Sequence, residues 1–214
     1  MAIQTDKYKI FLLLLLMAVF VWSGINPPAG RADWMLENSP ILAAVLIFII
    51  FNRYLKFSNL SYTLIVLYLI FPLIASHYGV AGVSFGKTLG GWLGTTRNMY
   101  DRLTHFMFGF LGFLPAQDII SQISGKNNFW SQYFLPFQTI ATLSVLYEIF
   151  EWLAAVSVNP TLAASFYASQ GDIFDTPKDM ANALVGALVM AAIFFLYSYF
   201  HRRKSLRSAE ALKR

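Results

Sequence analysis

Apolar residues fall into six runs, at about residues 8–24, 39–54, 61–77, 100–120, 133–156 and 177–200, separated by shorter polar stretches. A helix needs about 20 apolar residues to cross roughly 30 Å of hydrocarbon, so the pattern predicts an all-α integral membrane protein of about six transmembrane helices. One multi-span domain over residues 1–214 is expected, ending in a short basic tail at residues 201–214. The first run follows Lys7 and Lys9 in the manner of a signal peptide, but no A-x-A-like site closes it and further spans follow, so it reads as an uncleaved span. Pro40 suits the first turn of the second span. Pro72 predicts a kink inside the third, with neighbouring helices satisfying the freed carbonyl. A glycine-rich loop leads to Arg97, and a loop over residues 157–176 joins the last two spans.

Composition supports this class. Only 13% of residues are charged against 57% hydrophobic, about half the charged share of an ordinary soluble domain. Cysteine is absent, which excludes a disulfide framework and any thiolate metal site and leaves His, carboxylate and amide ligands.

The basic residues set an orientation. Lys7, Lys9, Arg53, Lys56 and Lys126 fall on one side with the tail residues Arg202, Arg203, Lys204, Arg207, Lys213 and Arg214. Arg31, Lys87, Arg97, Arg102 and Lys178 fall on the other. Eleven against five makes the first side the cytoplasm, with both termini there. In this setting the tail reads as a topology determinant beside anionic lipid, not as a nucleic-acid arm. The expected partner is the lipid bilayer, with a lipid or small-molecule ligand; the sequence sets no oligomeric state.

This topology brings the titratable residues to one level on the extracytoplasmic side. Asp101 and His105 share a helical face at the start of the fourth span with Phe108 and Gly112. The uninterrupted apolar run of that span is short for a bilayer crossing of about 20 residues. Glu148 and Glu151, three apart on the fifth span, share a face with the small residues Ala141, Ser144 and Ala155. Asp172, Asp175, Asp179 and Asn182 surround the start of the sixth span, and His77 ends the third. Ionisable groups in a bilayer are costly and pair with one another or serve a function.

Thr176, Pro177 and Asp179 fit an N-cap, first turn and third position, so Asp179 has a local explanation. Asp172 and Asp175 do not, and Gly171 would allow a turn that aims several oxygens at one point. Six acids against Arg97, Arg102 and Lys178 leave negative charge to offset. A divalent metal ion on Asp101, His105, Glu148, Glu151, Asp172 and Asp175 would do so. Protonation of some carboxylates is the competing solution.

The residues His77-Tyr78, the stretch from Arg97 to Phe106, Tyr147-Glu-x-x-Glu-Trp152 and Gln170-Gly-Asp-x-x-Asp-Thr-x-x-Asp-Met180 resemble, in order, the motifs of the YjdF-like family of bacterial inner-membrane proteins, a domain of unknown function. Trp34-x-x-Glu37 fits more loosely, and Phe174 and Pro177 stand where the family pattern tends to carry Trp and Gln. The resemblance implies a multi-pass protein of the bacterial inner membrane and brings no activity with it. A weaker similarity to VanZ-like membrane proteins, through a His-plus-acid helix and an Asp/Asn-rich helix start, points by analogy to envelope or antibiotic-resistance biology.

Three functions follow from the residues. The first is an intramembrane enzyme acting on a lipid or lipid-linked headgroup, with Glu148 or Asp101 as general base, His105 as ligand or acid, and Arg97, Arg102, Asp179 and Asn182 contacting substrate. The second is a small proton- or cation-coupled transporter, against which stand the scarcity of titratable groups midway through the spans and the absence of an obvious inverted repeat. The third is a scaffold in which the polar cluster staples helices together.

Overall fold

The computed structural model describes residues 2–51, 54, 56–125, 127–167 and 169–211. Arg53, Lys126, Lys213 and Arg214, used above to set the orientation, lie outside the described residues. The described chain is helical, with α1 at Ala2–Ser23, α2 at Arg31–Phe51, α3 at Asn59–Tyr78, α4 at Ser84–Trp92, α5 at Tyr100–Ser124, α6 at Leu135–Ser157, α7 at Pro160–Tyr167 and α8 at Asp175–Ala211. Among the described residues, five segments are long and apolar enough to cross a membrane: Arg31–Ile50, Asn59–Tyr78, Tyr100–Ser124, Trp130–Ser157 and Asp175–His201. The fourth apolar run, which looked short, thus belongs to a 25-residue helix.

Helix α1 carries the first apolar run and lies against α3, with Tyr8 Oη 2.5 Å from Thr63 Oγ1. At its other end Trp34 Nε1 donates to Ser23 Oγ at 3.0 Å, and His77 Nδ1 lies 3.0 Å from the Ser23 carbonyl. The end of α1, the start of α2 and the end of α3 therefore meet at one end of the bundle.

Helix α2 starts at Arg31, not at the proline, so Pro40 sits well inside it. Proline cannot donate to the carbonyl of Leu36 four residues back. Ser39 Oγ takes that carbonyl instead, at 2.7 Å, and Asn38 Nδ2 bonds the Trp34 carbonyl at 2.7 Å. The helix survives its proline, and the earlier start carries Glu37 into the bundle.

Two expected loops are partly helical. The glycine-rich one forms a 3-10 turn at Val80–Gly82 and then α4. Its glycines permit close approach: a Cβ on Gly86 would collide with Asn98 Oδ1, and one on Gly90 with the Arg97 carbonyl. The loop before the last span contains α7, whose start is capped by Asn159 Oδ1 on the Leu162 amide at 3.0 Å and whose Phe166 is buried against Phe150. The cap expected at Thr176 also gives way. Helix α8 begins at Asp175, with the Phe174 carbonyl accepting from Lys178 N at 3.2 Å. Pro177 remains in the first turn, where its missing N–H costs nothing.

The most extensive helix pairing is α5 with α8. A Cβ on Gly109 would collide with the Ala183 carbonyl, and one on Gly186 with the Phe106 carbonyl. Lipid offers no hydrophobic drive for helices to associate, so close backbone approach across small residues supplies contact instead. Phe113, Ala116, Ile140, Ala187 and Met190 form the core beside this crossing. At the opposite end of the bundle Asp118 Oδ2 accepts from Ser58 N at 2.8 Å and Ser61 Oγ at 2.6 Å, tying α5 to the start of α3.

Candidate functional site

The start of α5 is fixed by Asn98. Its Oδ1 accepts from Tyr100 N at 3.0 Å, and its Nδ2 donates to the Ala81 and Val83 carbonyls, both at 2.9 Å. Gln170 bonds the Asn98 main chain in both directions, at 2.9 and 3.0 Å. The turn before α8 is thus clamped to the turn before α5, and their titratable side chains meet.

These side chains separate into two groups. In the first, Arg97 Nη2 lies 2.5 Å and Arg102 Nη2 2.6 Å from the same oxygen, Asp175 Oδ1. Arg102 Nη1 reaches Asp179 Oδ2 at 2.5 Å, and its Nη2 lies 3.2 Å from Asp172 Oδ2. Lys178 Nζ donates to Asp172 Oδ2 at 2.7 Å, while Arg97 also bonds the Ser169 carbonyl. The hydrogen bond from Lys178, with one from the Phe174 amide, holds the Asp172 carboxyl below the usual carboxylate range. Asp172 and Asp175, expected as metal ligands, thus spend oxygens on cationic side chains. Both guanidinium groups, expected to meet substrate, are engaged by the protein's own acids. Asn182 Nδ2 donates to the Lys178 carbonyl of its own helix at 2.7 Å.

The second group is only partly neutralised: Arg102 takes one oxygen of Asp179, and Arg97 Nη2 stands 3.9 Å from Asp101 Oδ2. Ligand atoms of Asp101, His105 and Asp179 lie within 4.8 Å of one another. His105 Nε2 is 3.6 Å from Asp101 Oδ1 and 3.6 Å from Glu148 Oε1, too long for hydrogen bonds. The 3.6 Å between Asp101 and His105 is close to the roughly 3.4 Å that separates two ligands of one ion at about 2.1 Å in tetrahedral geometry, and the set as a whole lies within 4.8 Å. Glu148 Oε1 and Asp179 Oδ1 are buried without a hydrogen-bond partner among the described residues. Two carboxylates and an imidazole suit a borderline cation such as zinc or manganese, so the donor set fits a metal. Asp179, expected as a helix cap or substrate contact, is the third member of this set.

Beside the second group lies a cavity of about 250 Å³. Glu37 from α2, Tyr68 from α3, Asp101 and His105 from α5, and Tyr147 and Glu151 from α6 form its polar part. Ser144 also lines it, and its buried Oγ has no hydrogen-bond partner among the described residues. His77 is elsewhere, stacked on Trp22 with ring centroids 4.6 Å apart.

Glu37, Tyr68 and Tyr147 are the residues that sequence reasoning missed as site members. Glu37 and Tyr147 stand in motifs quoted above. Tyr68 interrupts the apolar run of the third span with a hydroxyl, which is its only local signal.

These features define a helical membrane protein with an acid-lined chamber at one end of its bundle. Residues 8–200 match the family described as "Predicted membrane protein (DUF2238)". The chain is 32% identical over 194 residues, 91% of its length and 90% of the other protein's, to "Inner membrane protein YjdF" of Escherichia coli (strain K12). It therefore belongs to the YjdF-like, DUF2238 family and is a multi-pass inner-membrane protein. No solved structure matches it significantly.

Proposed function

We propose that the protein is a six-span, single-domain enzyme of the inner membrane with both termini in the cytoplasm, acting at its extracytoplasmic end on the headgroup of a lipid or lipid-linked molecule. The observation that carries this reading is the convergence of Asp101, His105 and Asp179 next to a cavity in the membrane domain. The sixth span is α1, whose apolar residues Phe11, Leu13 and Leu14 are exposed on the outside of the bundle, as lipid contact requires.

Asp101, His105 and Asp179 would hold a divalent cation, which when bound polarises a phosphoryl oxygen or activates water. Glu148, with a buried carboxylate oxygen that has no hydrogen-bond partner among the described residues and lies 3.6 Å from His105 Nε2, is the general base. Arg97 and Arg102 keep Asp175 and Asp179 in place in this scheme and do not meet substrate. Comparison of extracytoplasmic lipids from cells producing the wild type or Glu148→Gln tests it. A lipid species that changes with the wild type alone is expected; identical lipid profiles, with both proteins present at equal levels, would contradict an enzymatic role and leave the transporter.

A further inference from the structure

The cavity is polar at one end and apolar at the other. Its acids are Glu37, Asp101 and Glu151, and among the described residues no lysine or arginine lines it. The nearby guanidinium groups are bound by Asp175 and Asp179, and Arg97 stands 3.9 Å from Asp101, which leaves Glu37 and Glu151 as the acids facing the chamber without a cation beside them among the described residues. The charge complement of this end is a cation, and the Tyr147 ring, 5.6 Å from that of His105, suits an organic one; Tyr68 lies further in, 5.4 Å from Phe108.

The other end is formed by Ile41, Ala44, Phe108 and Leu143. Ala44 is exposed on α2 and Leu143 is 45% exposed on α6, so this end opens through the side of the bundle. These two helices do not form an extended packing interface: α2 rests on α3 and α7, and α6 on α5, α7 and α8. Leu143 is also the first residue of a second, shallower groove that continues past Thr142, Thr139 and Gln138 to Leu135 and Ile120. An acidic chamber thus runs into an apolar track on the lipid-facing surface.

We propose that the chamber binds an amphiphile with a protonated amine in its headgroup, which enters from the bilayer between α2 and α6 and leaves its alkyl chain along the groove on α5 and α6. This deepens the reading above by naming the substrate class, and it rests on that reading only in taking the ligand to be a lipid. Glu37 and Glu151 receive the amine, and Asp101 stays with His105 and Asp179. Ile41, Ala44 and Leu143 receive the first methylenes. Burying the chain drives binding, while the carboxylates select the headgroup, because an ammonium left unpaired in this setting would be strongly disfavoured.

The test uses purified full-length protein in maltoside micelles with a chelator present, so that it does not depend on a bound metal. Dodecylamine, dodecanol and dodecyl phosphate, matched in chain and different in headgroup, are titrated by equilibrium dialysis and thermal unfolding. Dodecylamine is expected to bind saturably, on the order of tenfold tighter than dodecanol, with no saturable binding of dodecyl phosphate. Glu37→Gln should remove that preference, and Ala44→Trp or Leu143→Trp should block binding from the lipid side. Equal binding of all three probes, or unchanged dodecylamine binding in both tryptophan variants, would overturn the proposal. Amine-selective binding in a protein that takes up no metal without chelator would sustain it and remove the metal from the reading above.

Discussion

Arg102 on α5 and Asp179 on α8 are joined at 2.5 Å, both buried, and the pair connects the ion-pair network to the donors Asp101 and His105. One oxygen of Asp179 is taken by the guanidinium; the other has no hydrogen-bond partner among the described residues, and the carboxylate stands beside Asp101 and His105. Asp179 thereby links the assembly of the two helices to the chemistry between them.

Removing the cation should expose that dependence. Arg102→Met leaves Asp179 buried without its guanidinium and Asp175 with Arg97 alone, and breaking such a pair costs about 3–5 kcal/mol. The unfolding midpoint in mild detergent should fall accordingly, and Arg102→Met combined with Asp179→Asn should recover part of the loss. A single variant as stable as the wild type would show the network to be ornamental.

The helix crossing makes a second prediction. Gly109→Ala or Gly186→Ala places a methyl against a backbone carbonyl of the facing helix, which cannot rotate away, so each should destabilise by about 1–3 kcal/mol or more. Gly91→Ala has open space around it and should be close to neutral. Thermal unfolding of the three variants checks the contrast.

Asp172 gives a pH dependence with a defined sign. Its carboxyl titrates lower in the folded protein than the value of about 3.9 expected unfolded, so its stabilising contribution is fully present above that value and disappears as pH falls through the folded one. The stability difference between wild type and Asp172→Asn should hold constant above about pH 5 and shrink in acid. A difference that widened as pH fell would reverse the assignment.

Orientation can be read chemically because the chain has no cysteine of its own. Gly91→Cys and Asn127→Cys each replace an exposed residue, at opposite ends of α5. A membrane-impermeant maleimide should label the first in intact spheroplasts and the second only after lysis. The reverse pattern would place the chamber on the cytoplasmic face.

Much of this arrangement is legible along the chain, since helical periodicity alone puts Asp101 with His105 and the membrane setting puts Glu148 and Asp179 at the same level. The sorting of acids is not. That Asp179 turns one oxygen to Arg102 and stands beside Asp101 and His105, while Asp175 is held by Arg97 and Arg102, depends on the rotation of α8 against α5, which is set by Gly109 and Gly186 on opposite sides of the crossing. Glu37 escaped because Pro40 looked like a helix start; only the side-chain bond from Ser39 to the Leu36 carbonyl reveals that the helix passes through it. The loop that contains α4 was misjudged for a related reason, as glycines needed for close packing against Asn98 and Arg97 look like glycines needed for turns.

The central claim is most directly tested by the metal content of the purified protein and its titration with zinc, manganese, magnesium and calcium, comparing wild type with Asp101→Asn, Asp179→Asn and Asp172→Asn. About one ion per chain is predicted, weakened at least about tenfold in the first two variants and retained in the third. No bound ion, or binding that survives the loss of Asp101 and Asp179, would contradict the account.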